Sequence, residues 1–213
     1  MTNLEIAQQK EEFISLCRNN IKREGLDELL AYLEKSDFYM APSSTRFHLN
    51  EEGGLCRHSI NVFLMAKKIY ENCGIKDAIE NGQSAFPKSE NMEESIAICA
   101  LFHDLCKIGV YKRAEKFRKD AAGRWETYLT WEMKEDFPIE HGVKSVLNVR
   151  NFMKLKKEEM LAIRWHMGLF DAGDNGSGNR RSYYDALDAS PLVCLLNSAD
   201  ILASRCLEQT TEE

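Results

Sequence analysis

The sequence predicts a mainly α protein interrupted by one small β-hairpin. Apolar residues recur at helical spacing along most of the chain. Only "KFRKDAAGRWETYLTWEM" (116–133) pairs a turn signal, Ala122-Gly123, with the aromatic and β-branched residues of a strand. No internal repeat or low-complexity tract suggests a solenoid or a fibrous class. At 213 residues, with 44% hydrophobic and 29% charged residues, the chain has the composition of one globular domain with a small appendage.

The elements follow in order. Residues 3–18 and 26–35 carry helix-like spacing, with Leu26, Leu29, Leu30 and Leu33 on one stripe. This segment, 1–35, reads as an N-terminal helical extension, and 36–213 as the main domain. "SDFYMAPSSTRFHLNEEGG" (36–54) reads as an irregular loop because of Pro42, its serines and its closing Gly-Gly. Leu55, Val62, Met65, Ala66 and Ile69 mark a helix over about 55–73, followed by a polar linker over about 74–92. A strongly apolar helix is expected over about 93–107, ending before Gly109, a favourable residue just past a helix end. After the hairpin, helices are expected over about 139–153, 157–167 and 189–207. "DAGDNGSGNRRS" (171–182) reads as a glycine-rich loop without phosphate-loop spacing.

Charge and cysteine content exclude several classes. A net charge of −6 does not favour indiscriminate binding to nucleic acid or anionic membranes. The first residues, "MTNLEIAQQKEEF", lack the basic-then-apolar pattern of a signal peptide, and no apolar run reaches the roughly 18 residues of a membrane span. The seven cysteines are odd in number, scattered and never arranged as CxxC, which argues against a disulfide scaffold and a zinc–thiolate site. A reducing, cytoplasmic compartment is expected.

The five histidines are more informative. His58, His103, His141 and His166 each fall in or beside a predicted helix, near an apolar stripe, while His48 lies in the first loop. One histidine on such a stripe is more often a hydrogen-bonded core residue than a ligand. Four would each need their own partners, and Asp200 adds a carboxylate inside the otherwise almost wholly apolar "LLNSADILAS". Asp104 poses the same problem after "SIAICALF", since a buried carboxylate is costly unless paired or coordinated. Histidines and aspartates together have the composition of an N/O metal site. His103 continues the stripe of Ile96, Cys99 and Ala100, Asp104 is one step around the helix, and Lys107 lies three residues further on.

The ordered motifs "GGLCRHS", "HDLCKIG", "EHG", "WHMG" and "SAD" resemble the HD-domain superfamily of metal-dependent phosphohydrolases, over about residues 53–205. The resemblance implies an HD-like helical bundle with the hairpin as an insertion. It maps the family's H…HD…D metal set onto His58, His103, Asp104 and Asp200. The additional histidines of two-metal members match His141 and His166, with Asp104 as the bridge, and the lysine following HD matches Lys107. Where many two-metal members carry paired histidines, this chain has "WHMG" and only His166. The GYP signature of the cyclic-dinucleotide branch is absent from the sequence.

Two cations about 3.5–4 Å apart can bridge phosphate oxygens and lower the pKa of water. The expected activity is therefore hydrolysis of a phosphoester of a nucleotide or short nucleic acid through a metal-bound hydroxide. Asp104 and Lys107 are the catalytic candidates, with Lys107 neutralising charge on the phosphoryl oxygens. The cofactor is one or two divalent ions of Mn, Fe, Co, Ni or Zn, a set that mixed His/Asp ligation suits. Arg46 and His48 in "PSSTRFH", and Lys112 and Arg113 beyond the HD segment, are candidate substrate-binding residues. Lys116, Arg118, Lys119 and Arg124 could draw in a polyphosphate or oligonucleotide, with Trp125 or Tyr128 stacking a base. Arg180 and Arg181 are candidates for a lid. No membrane partner is expected. The alternatives are a di-iron oxygenase on the same scaffold and a non-catalytic, metal-binding regulatory module.

Overall fold

A computed structural model describes residues 1–87, 90–172 and 177–208. The chain order is α1 (Asn3–Asn20), α2 (Leu26–Lys35), α3 (Gly54–Asn72), α4 (Ile75–Glu80), α5 (Met92–Phe102), β1 (Tyr111–Lys119), β2 (Trp125–Met133), α6 (His141–Arg150), α7 (Lys157–Arg164), α8 (Ser177–Ala189) and α9 (Pro191–Leu202). Short 3₁₀ turns span Leu105–Lys107 and Gly168–Ala172, and a π turn, Ala203–Leu207, extends α9. The architecture is the expected one: mainly helical, with a single two-stranded antiparallel sheet among the described residues. No single helix among them is long and apolar enough to cross a membrane.

α5 is the axis of the bundle. From Ser95 to Phe102 no side chain is more than 3% exposed, because the segment is apolar on every face and can only sit surrounded. α3 and α7 pack against it, and α9 closes the ring by packing on both of them. The N-terminal helices share this core: Phe13 of α1 packs on Phe38 and Phe102, with ring centroids 4.9 and 6.0 Å apart. The stripe of Leu26, Leu29, Leu30 and Leu33 on α2 is buried as its spacing predicts.

Several segments differ from the sequence-based expectation. The linker over 74–92 contains α4, whose first residue follows a glycine with φ of +75°. Residues 177–182 of the glycine-rich stretch belong to α8, so Arg180 and Arg181 are exposed helical residues; residues 173–176 lie outside the described ones. The strand pair begins at Tyr111 rather than 116, with Tyr111 opposite Met133 and Lys119 opposite Trp125. Asp120 closes the hairpin by accepting from the N–H groups of Ala122 and Arg124. The buried helix ends at Phe102 rather than 107. His103 and Asp104 follow, the latter at φ −107°, before the 3₁₀ turn.

One ionic cluster ties the N-terminal helices to the bundle. Arg23 donates to Glu159 of α7 at 2.5 Å and to Glu94 of α5 at 3.0 Å. Glu159 is fully buried and also accepts from Ser95 Oγ and the Lys156 N–H. Removing one partner of a buried pair strands the other charge. Arg23→Ala is therefore expected to lower unfolding stability by about 3 kcal/mol in urea titrations. An unchanged midpoint would show that Glu159 is sufficiently held by its remaining donors.

Candidate metal centre

Six side chains meet where α3, α5, α6, α7 and α9 converge. His58 lies on α3, His103 and Asp104 just after α5, and His141 at the first residue of α6. His166 lies in the turn after α7, and Asp200 on α9. All are buried except His141, whose side chain is 29% exposed and forms the open edge of the site.

Backbone geometry brings them together. A Cβ on Gly142 would sit 2.2 Å from the Arg164 carbonyl oxygen, so only glycine lets the start of α6 close on the end of α7. That approach sets His141 beside His166, with ring centroids 5.3 Å apart. Asn197 of α9 holds the turn carrying His166 by donating to the His166 carbonyl at 2.6 Å. After α5, Cys106 N–H donates to Ser145 Oγ, and Asn148 Nδ2 donates to the Leu105 carbonyl. Both partners lie on α6, which thereby grips the turn that aims Asp104.

Asp104 divides its two oxygens between two groups of partners. Oδ2 faces His58 Nε2 at 3.6 Å, His103 Nε2 at 3.4 Å and Lys107 Nζ at 2.7 Å. Oδ1 faces His141 Nε2 at 2.8 Å and His166 Nε2 at 3.5 Å. Asp200 Oδ1 lies 3.1 Å from His58 Nε2 on the first side. His58–His103–Asp104, Asp104–His141–His166 and His103–His166–Asp200 each offer three ligand atoms within 4.8 Å of one another. His166 Nε2 is buried and aimed into the cluster, and its nearest carboxylate oxygen, Asp104 Oδ1 at 3.5 Å, leaves it without a well-formed hydrogen bond. The donor set and this orphaned nitrogen fit divalent metal ions.

Charge within the site is tightly balanced. Burial opposes protonation of His58, but its hydrogen bonds with Asp200 and Glu208 raise its pKa to about 10. Burial alone would raise the Asp104 pKa; Lys107, His103 and His141 hold it well below the usual carboxylate range. Asp200 is likewise held low, against its burial, chiefly by His58. Burial pushes His103 below the ordinary histidine value. His166 is raised despite its burial by the nearby Asp104.

The remaining predicted residues distribute unevenly. Lys107 is held between Asp104 and the Ser43 carbonyl, the latter at 2.8 Å, so it reaches the cluster from a 3₁₀ turn rather than from an α-helix. His48 packs its ring 4.8 Å from that of His58, and its buried Nε2 lacks a partner. Burial, with the positive neighbours His58 and Lys107, lowers its pKa to about 4. Arg46 is exposed on the same loop. Arg113 is engaged by Glu52 at 2.8 Å and stacks on Trp131, while Lys112 points from the opposite face of the exposed hairpin. Arg118 lies over Tyr128 and Lys119 over Trp125, so the aromatic candidates already carry cations of their own hairpin. The sequence reading missed Glu208, whose Oε2 lies 2.9 Å from His58 Nδ1, and Ser43, whose carbonyl fixes Lys107. Neither residue type signals such a role from a loop or a chain end.

The family model described as HD domain matches residues 55–205. Neither a curated protein sequence nor a solved structure matches the chain.

Two expectations follow. If Asp104 bridges two ions, metal analysis should find about two equivalents per chain in a dinuclear site. His141→Ala or His166→Ala should lose one of them and Asp104→Ala most of both, and equal content in all variants would exclude the bridge. The second concerns pH. A His58 pKa raised above its ordinary 6.5 stabilises the metal-free fold fully below that value and progressively less as pH climbs toward about 10. A metal must displace that proton, so affinity should rise with pH across this window. Calorimetry in buffers of differing ionisation enthalpy should detect net proton release on metal binding at about pH 7.5. Zero release would show that binding displaces no proton from His58.

Proposed function

Because the chain belongs to the HD-domain family, we propose that it is a metal-dependent phosphohydrolase or phosphodiesterase. Its substrate is a phosphoester of a nucleotide or short nucleic acid. Members of this family are mostly metal-dependent hydrolases and bind divalent metals. The observation that carries the reading is the split of Asp104, with one oxygen toward His58 and His103 and the other toward His141 and His166.

His58, His103, Asp104 and Asp200 would hold one ion, and Asp104, His141 and His166 a second. Bound ions supply Lewis acidity toward phosphoryl oxygens and lower the pKa of water. The protein's own residues account for the rest. Lys107 places a fixed positive charge beside the cluster, and its pairing with Asp104 raises its pKa despite burial, so it stays charged at every working pH. Such a charge favours an anionic substrate and the additional charge of a phosphoryl transition state. Ser43, by accepting from Lys107, limits where that ammonium can move. The exposed edge at His141 leaves a route for a substrate, which a purely structural ion would not need. Arg46 and His48 lie on the loop beside that cluster and are the nearest candidates for gripping phosphate or base.

The test is a phosphoester panel assayed with Mn²⁺, Fe²⁺, Co²⁺, Ni²⁺ and Zn²⁺. On any ester that is hydrolysed, Lys107→Ala should lower kcat by about 10²–10³ while metal content is retained. Equal kcat at equal metal content would reduce Lys107 to a structural partner of Asp104. No turnover on any ester, together with an oxygen-dependent iron spectrum after anaerobic purification, would replace hydrolysis by the oxygenase reading.

A further inference from the structure

We propose that Glu208, which lies beyond the stretch matched to the HD domain, is the positioning residue for His58 and governs how tightly the site holds metal. The inference rests on the metal-site reading above and extends it to a residue outside the six ligand candidates.

Among the histidines of the cluster, His103 and His166 direct Nδ1 to backbone carbonyl oxygens, those of Ala100 at 2.8 Å and Ile163 at 2.7 Å. His58 instead directs Nδ1 to a carboxylate, Glu208 Oε2, at 2.9 Å. A proton on Nδ1 donated to that carboxylate leaves the lone pair on Nε2. Nε2 is the atom that faces Asp200 at 3.1 Å, His103 at 3.2 Å and Asp104 at 3.6 Å. A carboxylate behind a ligand histidine fixes its tautomer and orientation and increases its basicity more than a neutral carbonyl does.

Glu208 is only 3% exposed, so its placement is not that of a solvated tail residue. Its second oxygen, Oε1, accepts from Asn61 Nδ2 at 2.8 Å, one helical turn beyond His58 on α3. Both oxygens are therefore occupied by donors from α3. The same C-terminal segment carries a carboxylate to each ring nitrogen of His58: Asp200 on the cluster side, Glu208 behind. In an uninterrupted α-helix, residues eight apart lie about 12 Å apart along the axis. Here the π turn Ala203–Leu207 and the exit from helical geometry at Glu208 redirect the chain, bringing this carboxylate back against His58. Single π turns are rare and recur at functional sites.

The experiment titrates metal-free, full-length protein with Mn²⁺ at one fixed pH, comparing the wild type with Glu208→Gln and Asn61→Ala. The Gln variant should keep the stoichiometry and weaken binding by about 10–100-fold. Asn61→Ala, which leaves the His58–Glu208 contact in place, should weaken it far less. An unchanged Kd in Glu208→Gln, or equal losses in both variants, would overturn the proposal in favour of simple tethering of the chain end. Loss of a whole metal equivalent in Glu208→Gln would overturn it by making Glu208 a ligand. A second measurement needs no variant: long-range ¹H–¹⁵N spectra of the Zn²⁺-loaded wild type should show His58 protonated at Nδ1 and ligated through Nε2. The reverse assignment would overturn the proposal even if Glu208→Gln did not fold. A wild type that binds no metal would overturn this proposal and the proposed function together, whereas a wild type that binds metal with Glu208 silent would remove only this one.

Discussion

A carboxylate buried among apolar helices is tolerated only when opposite charge and hydrogen-bond donors surround it. Asp104 follows α5, the most completely buried helix among the described residues, and four histidines and a lysine face it. Those five partners come from four kinds of local context: His58 from a helix interior, His141 from a helix start, His103 and His166 from the residues just after a helix, and Lys107 from a 3₁₀ turn. The bundle therefore has to hold several independent elements in register around one side chain. The glycine at 142, the grip of Ser145 and Asn148 on the turn after α5, and Asn197 behind His166 all serve that requirement.

The same constraint explains the asymmetry of the site. Its inner side is closed by Asp200, His103 and His166, all buried, and by the α9 extension that returns to His58. Its outer side is defined by His141 and by the loop that brings Ser43 and His48 against Lys107 and His58. The cluster is thus buried on its inner side and partly exposed at His141. Lys107 links the two sides, since it contacts both Asp104 and the Ser43 carbonyl of the loop.

The hairpin stands apart from this scheme. Phe117, Trp125, Leu129 and Met133 are all more than 60% exposed, and its arginines and lysines are engaged largely by its own aromatic and acidic residues or by Glu52. Tyr111 anchors its base by donating to the Ser43 carbonyl that also holds Lys107. The ribbon thus meets the site only at its root.

What was legible in the sequence was whatever depends on composition and near-neighbour spacing. The stripe on α2, the apolar run of α5 and the order of histidines and aspartates identify helices, core and ligand candidates, because side-chain chemistry and helical periodicity act locally. Boundaries were less legible. The helix expected to run to 107 stops at 102, because the turn that aims Asp104 is held by Ser145 and Asn148, about forty residues away. Which oxygen of Asp104 faces which histidine, and that a glutamate near the chain end lies behind His58, had no local signal at all. Glu208 reads as one more charged residue of a tail, yet it is buried where the chain leaves the π turn and meets His58 and Asn61 of α3. Those features depend on contacts between residues far apart in sequence, so only the packed tertiary structure could decide them.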